Sequence, residues 1–171
     1  MVKTVTGTSE GSSRLLELHD DIYHNEIIET LDDSAVELKF LDETTLQLGP
    51  NSAILLDEFV YDPDPANSSF VVTVVEGAFR FTSGILPSEA YKIKTPVATI
   101  GIRGTEIKIA VERTNNTEGE VITSVNLTVI EGEAYLAKCT GENILVRSGE
   151  SRTIQGRQSG CSGQQASSSR P

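Results

Sequence analysis

Residues 35–41 read AVELKFL, with Val36, Leu38 and Phe40 on one side of a two-residue repeat and Glu37 and Lys39 on the other. Side chains alternate across a strand, so this period predicts a strand with one buried face. The same period, or a short run of Ile, Val and Leu, recurs along the chain. It appears in RLLEL at 14–18, IYHNEIIET at 22–30, TTLQLG at 44–49, AILLDEFVY at 53–61, FVVTVV at 70–75 and AFRFTSG at 78–84. It continues in YKIKTPVATIGI at 91–102, EIKIAVE at 106–112, VITSVNLTVI at 121–130, EAYLAK at 133–138, NILVRS at 143–148 and SRTIQ at 151–155. Turn residues separate the runs, as in Gly49-Pro50-Asn51-Ser52 and DPDPANSS at 62–69. Helical spacing shows only weakly, in SAVELKFLDETTLQL, which also fits two strands around a Leu-Asp-Glu turn. The pattern predicts an all-β domain over residues 1–155, as a sandwich, barrel or solenoid. Glycines recur at strand junctions, at Gly49, Gly77, Gly84, Gly132 and Gly149, without the fixed period of a sequence repeat. The remainder, residues 156–171, is a polar low-complexity tail with too little apolar surface to order itself.

One segment breaks the alternation. Apolar positions fall at Ile100 and Ile102, then resume at Ile107, Ile109 and Val111 with opposite parity. A slip of one residue moves a strand's apolar set to the other face. Arg103-Gly104-Thr105 therefore predicts a bulge, with Gly101 and Gly104 allowing close backbone approach. Thr95-Pro96 suits a strand start, since proline removes a ladder donor. These residues read as determinants of the fold. Arg103 is also a candidate surface contact, its alternatives being an ion pair with a carboxylate or a share in an anion-binding nest.

The core must rest on Ile, Val and Leu, because the 171 residues hold no Trp, one Met and five Phe. The net charge of −11 and the lack of a Lys/Arg run exclude nucleic-acid binding as a reading. No window of eighteen apolar residues spans a membrane, and the start, MVKTVTGTSEGSS, lacks the apolar stretch of a signal peptide. Cys139 and Cys161 are the two cysteines. In an oxidising compartment a bond between them would add about 3 kcal/mol in the chain-entropy model. Neither has the CxxC spacing of a zinc site.

Little else carries chemistry. Gly7-Thr8-Ser9-Glu10-Gly11 matches a nucleophile elbow in letters only, because no helix follows to present the serine. His19 and His24, with Asp20 and Asp21 between, would bind a metal only if they converged. Asp57, Glu58, Asp62 and Asp64 form an acidic corner without the order of a calcium loop. Three sequons, at Asn67, Asn115 and Asn126, matter only in a eukaryotic secretory route. No catalytic residue, metal or cofactor is assigned, and the chain is read as a non-enzyme.

The order of VTGT, IIET, LKFLDETTLQLGPNSAILLDEFVYDP, VVEGAFRFTSG and KTPVATIGIRGTEIKIAV resembles the FecR domain family of bacteria. The likeness runs from about Val2 to Val111 and fades into a compatible β region through about Gln155. Founding members of that family are inner-membrane regulators. Their periplasmic part hears a ferric-siderophore transporter and passes the signal to a cytoplasmic sigma factor. They carry an anti-sigma segment and a transmembrane helix before this domain, and this sequence shows neither. Ile107 also stands where those regulators commonly have an aromatic. The resemblance is closer to FecR-like domains found alone or beside cell-wall-binding modules. It implies a solenoid-like fold, with a sandwich as the alternative, and a periplasmic or extracellular location. The function it implies is a sensory or interaction module binding a protein or an envelope polymer. The alternative is a structural protein whose subunits self-assemble into a surface layer or filament.

Overall fold

The computed structural model describes residues 4–157. Its twelve strands form one hydrogen-bonded sheet: β1 (Val5–Ser9), β2 (Ser12–Leu15), β3 (Ile27–Thr30), β4 (Val36–Lys39), β5 (Thr45–Leu48), β6 (Ala53–Val60), β7 (Ser69–Thr82), β8 (Tyr91–Lys94), β9 (Ala98–Asn115), β10 (Val121–Lys138), β11 (Asn143–Arg147) and β12 (Ser151–Arg157). The helical pieces among the described residues are short 3-10 turns at Pro65–Asn67 and Ser88–Ala90. Among the described residues no helix is long and apolar enough to cross a membrane. The expected tail at 156–171 lies outside the described residues from 158 onward, and its first two residues belong to β12.

Three strands are far longer than their sequence segments imply. FVVTVV and AFRFTSG are one strand, β7. YKIKTPVATIGI is divided at the Thr95-Pro96 turn, its first part being β8 and its ATIGI continuing through Arg103-Gly104-Thr105 and EIKIAVE as one strand, β9, and VITSVNLTVI and EAYLAK are one strand, β10. Each of these serves two layers. The first half of β7 lies between β6 and β8, and its second half lies between β5 and β9. The first half of β9 pairs with β8 and the end of β10, while its second half pairs with β7 and the start of β10. One layer therefore runs β2-β1-β3-β6-β7-β8-β9-β10-β11, and the other runs β4-β5-β7-β9-β10-β12. Among the described residues only β7 and β8 pair in parallel. A solenoid stacks parallel coils, so the sandwich is the expectation that fits this topology.

Both layers turn their apolar sides to one core. Ile54, Phe70, Ile93, Ile100 and Leu136 come from the first layer, and Leu46, Leu48, Phe81, Ile107 and Leu127 from the second, each under 2% exposed. Fully burying one such side chain is worth about 1.5–3 kcal/mol. Phe70 and Phe81 meet across the layers at 5.7 Å between ring centroids, and Tyr91 packs on both.

The parity break has a physical form. Along β9, Ala98, Ile100 and Ile102 face the core, then Thr105, Ile107, Ile109 and Val111 do, while Arg103 and Gly104 both point outward. The extra outward residue keeps the apolar set on the concave side as the strand bends. β10 shifts register at the same place, around Glu131. β11 and β12, which follow β10 in sequence along its length, are interrupted there by Gly149. Gly104, Gly132 and Gly149 have φ of 51°, 82° and 84°, so neighbouring strands turn together. At Gly132 no other residue fits, since a Cβ would sit 2.2 Å from the carbonyl oxygen of Gly104.

Candidate functional site

Three turns meet at this bend. They are residues 41–44 after β4, residues 83–90 after β7, and the Arg103–Thr105 bulge. Thr105 N–H donates to Ser83 Oγ at 3.0 Å, and Ser83 N–H donates to the Thr105 carbonyl at 3.0 Å. The Thr105 hydroxyl donates to the carbonyl of Glu131, tying the bulge to β10.

Beneath the turns lies a buried polar network. The Asp42 carboxylate, fully buried, accepts from the Tyr91 hydroxyl at 2.8 Å and from the hydroxyl and N–H of Thr44. The Tyr91 oxygen in turn accepts from Gly84 N–H at 2.9 Å and Leu86 N–H at 3.2 Å. Burial pushes the Tyr91 phenol above the ordinary tyrosine value; the Thr44 hydrogen bond opposes the rise and Asp42 adds to it. Ile85 N–H donates to the Asp42 carbonyl at 2.8 Å, so the first two turns are joined directly. A buried carboxylate is tolerated only when its oxygens are satisfied, and here they are.

What this network holds up is apolar and exposed. Leu41 is 78% exposed and Ile85 63%, at the tips of two turns pinned to each other. Single exposed leucines are ordinary, but here two large aliphatic side chains stand exposed on turns joined by a backbone bond. Arg103 is exposed at the same end and makes no ion pair among the described residues. The bonds that fix the bulge use Thr105, Ser83 and backbone, and none uses the Arg103 side chain. An exposed guanidinium on a bulge tied through Ser83 to the turn that carries Ile85 is chemistry suited to a protein surface.

The other candidates lie elsewhere. Thr95 and Pro96 form the turn between β8 and β9, where the Thr95 N–H and hydroxyl both donate to the Ala98 carbonyl at 2.8 Å. Gly101 sits mid-strand in β9, where an added Cβ would meet nothing within 4 Å. Ser9 ends β1, and Glu10 and Gly11, with φ of 51° and 78°, make a tight hairpin into β2. The elbow lettering therefore falls in a strand–turn–strand. His19 and His24 are exposed, and the described residues contain no group of three or more His, Cys, Asp or Glu able to hold a metal ion. The acidic corner is used locally: Asp57 accepts from Thr73, Asp62 from the N–H of Asp64, and Asp64 from the N–H of Ala66. Cys139, at the end of β10, is disulfide-bonded, and Cys161 lies outside the described residues.

Two features escaped the sequence reading. Glu26, 1% exposed, is held by Arg14 at 3.0 Å and by the N–H of Tyr23 at 2.8 Å. On the outer face of the second layer lies a groove of about 650 Å³ whose lining includes Gly49, Ala78, Arg80, Lys108 and Ala110. No local period marks either one, because each depends on which strands become neighbours.

Comparison with known proteins places this architecture. A family model described as FecR protein matches residues 26–135. Two solved structures of a "putative anti-sigma factor" from Parabacteroides distasonis ATCC 8503 share the fold, each with a TM-score of 0.54. They are 12% and 14% identical to this chain, and the match covers 77% of it and 59% of each of theirs. A search of curated proteins finds no match.

Proposed function

This chain belongs to the FecR protein family, and from that membership we propose that it is a non-enzymatic sensory module that works by binding a protein on the outer side of the bacterial cytoplasmic membrane. The observation that carries the reading is the end of the sandwich where Arg103, Leu41 and Ile85 stand exposed on turns fixed from below. Fixed turns lose little further entropy on binding, so a partner meets a prepared surface. The disulfide at Cys139 supports an oxidising compartment. We assign its partner as Cys161, the only other cysteine in the chain.

Arg103→Ala tests the site. Because the bulge is held without this side chain, unfolding free energy should stay within about 0.5 kcal/mol of the parent. Recovery of a specific partner from envelope extract should fall at least about tenfold, a loss of about 1.4 kcal/mol. A large drop in stability would make Arg103 a structural residue, and unchanged capture would remove it from the interface.

A further inference from the structure

Among the described residues, β12 pairs only with β10, so its other side is an open edge of the second layer. It is the longest of the terminal strands, with seven residues against four in β2, four in β4 and five in β11. The bond from Val129 N–H to the Glu150 carbonyl, 3.0 Å, sets the phase of the ladder. Hydrogen-bonded pairs alternate along an antiparallel ladder. Arg152, Ile154 and Gly156 therefore bond to β10, and the N–H and C=O groups of Ser151, Thr153, Gln155 and Arg157 face the edge. No proline and no register shift interrupts the strand.

Charge marks this edge out. In register, Leu48, Phe79, Ile109 and Leu127 form a buried row across the second layer, and the next position is Arg152. A guanidinium thus ends a row of core side chains. It makes no ion pair among the described residues, and its hydrogen bond there goes to the neighbouring Ser151 carbonyl. Ile154, two residues on, is on the same face and buried. β12 has two arginines and no acidic residue, on a chain whose net charge is −11.

We propose that the open edge of β12 takes an extended segment of a partner protein by strand addition. The segment carries an acidic residue opposite Arg152 and an apolar residue two positions away beside Ile154. Backbone bonds supply the affinity, and the Arg152 contact supplies the choice of partner. A second copy of the chain is disfavoured, because β12 against β12 brings together the unpaired Arg152 of each copy with no carboxylate in either strand, Arg157 already being paired with Glu120 at 3.4 Å. A charge on an exposed edge strand also guards against indiscriminate pairing. The proposal rests on the reading of the domain as a recognition module, but it uses a surface that does not include Arg103.

The test titrates the full oxidised chain with a labelled peptide of alternating Thr and Val containing one Glu, followed by anisotropy. The same peptide with Lys in place of Glu is the comparison. The Glu peptide should bind at least about tenfold more tightly. Arg152→Glu should reverse that preference. Gln155→Pro, which removes an edge N–H and leaves the β10 ladder intact, should abolish binding of both. Arg103→Ala should leave peptide binding unchanged, so the edge and the Arg103 surface fail separately. Equal affinity for the two peptides, no binding of either, or binding indifferent to Gln155→Pro would overturn the proposal.

Discussion

Gly101 and Gly132 lie on neighbouring long strands and look alike in the sequence, each a lone glycine between residues of strand character. Their surroundings differ completely. Gly132 has a positive φ and touches the Gly104 backbone, whereas space is open around Gly101. Gly132→Ala should therefore destabilise the fold by at least about 2 kcal/mol, combining a left-handed backbone with a clash. Gly101→Ala should be neutral or add about 0.5–1 kcal/mol, since alanine costs a strand less entropy. Urea unfolding of the two variants decides this. Tyr91 makes a second prediction at this scale. Its phenol is raised, so the folded state holds a proton that the unfolded state gives up above the ordinary tyrosine value near 10. That stability is complete below this value and is lost as pH rises through the folded value. Stability measured between pH 9 and about 12 should fall in the parent, with Tyr91→Phe showing a smaller fall. The alternation that placed Phe79, Phe81, Ile107 and Ile109 in the core was readable in the chain. The Asp42–Tyr91 network was not, because its members are 49 positions apart and meet only after folding.

At the scale of elements, the apolar period located strands well and their ends poorly. Gly77, Gly104 and Gly132, each within a long strand, read as punctuation between two short strands, because a glycine and a parity change are also what a turn produces. The distinction lies in the partner strand: β10 shifts register opposite the β9 bulge, so the ladder continues through the bend. Choosing between solenoid and sandwich needed the same pairing information. The disulfide at Cys139 adds a covalent constraint at the end of β10 remote from the bend. The oxidised chain should show no reactive thiol under denaturing conditions, and reduction should expose two. Reduction should also lower the unfolding free energy by up to about 3 kcal/mol. An unfolding curve unmoved by reduction would show that the bond constrains nothing the fold depends on.

For the whole molecule, the sequence restricted the class of function more than its partner. An acidic all-β chain with scattered basic residues leaves few sites where a guanidinium stands unpaired, and the fold brings Arg103 to an end where Leu41 and Ile85 are exposed. The most specific part of the likeness to the FecR family is Thr95-Pro96 with Gly101 to Thr105, the stretch that leads into the bend and displays Arg103. Nothing local in LKFLDET or SGILP says that the turns carrying Leu41 and Ile85 will be joined. That follows from the backbone bond between Asp42 and Ile85. The most direct measurement of the central claim is site-specific photocrosslinking in living cells. A photoreactive side chain would be placed in turn at Leu41, Ile85 and Arg103, with exposed Arg113 as the control. Discrete protein adducts at the three turn positions and none at Arg113 are the predicted result. Adducts at Arg113 with none at the turns would contradict the account.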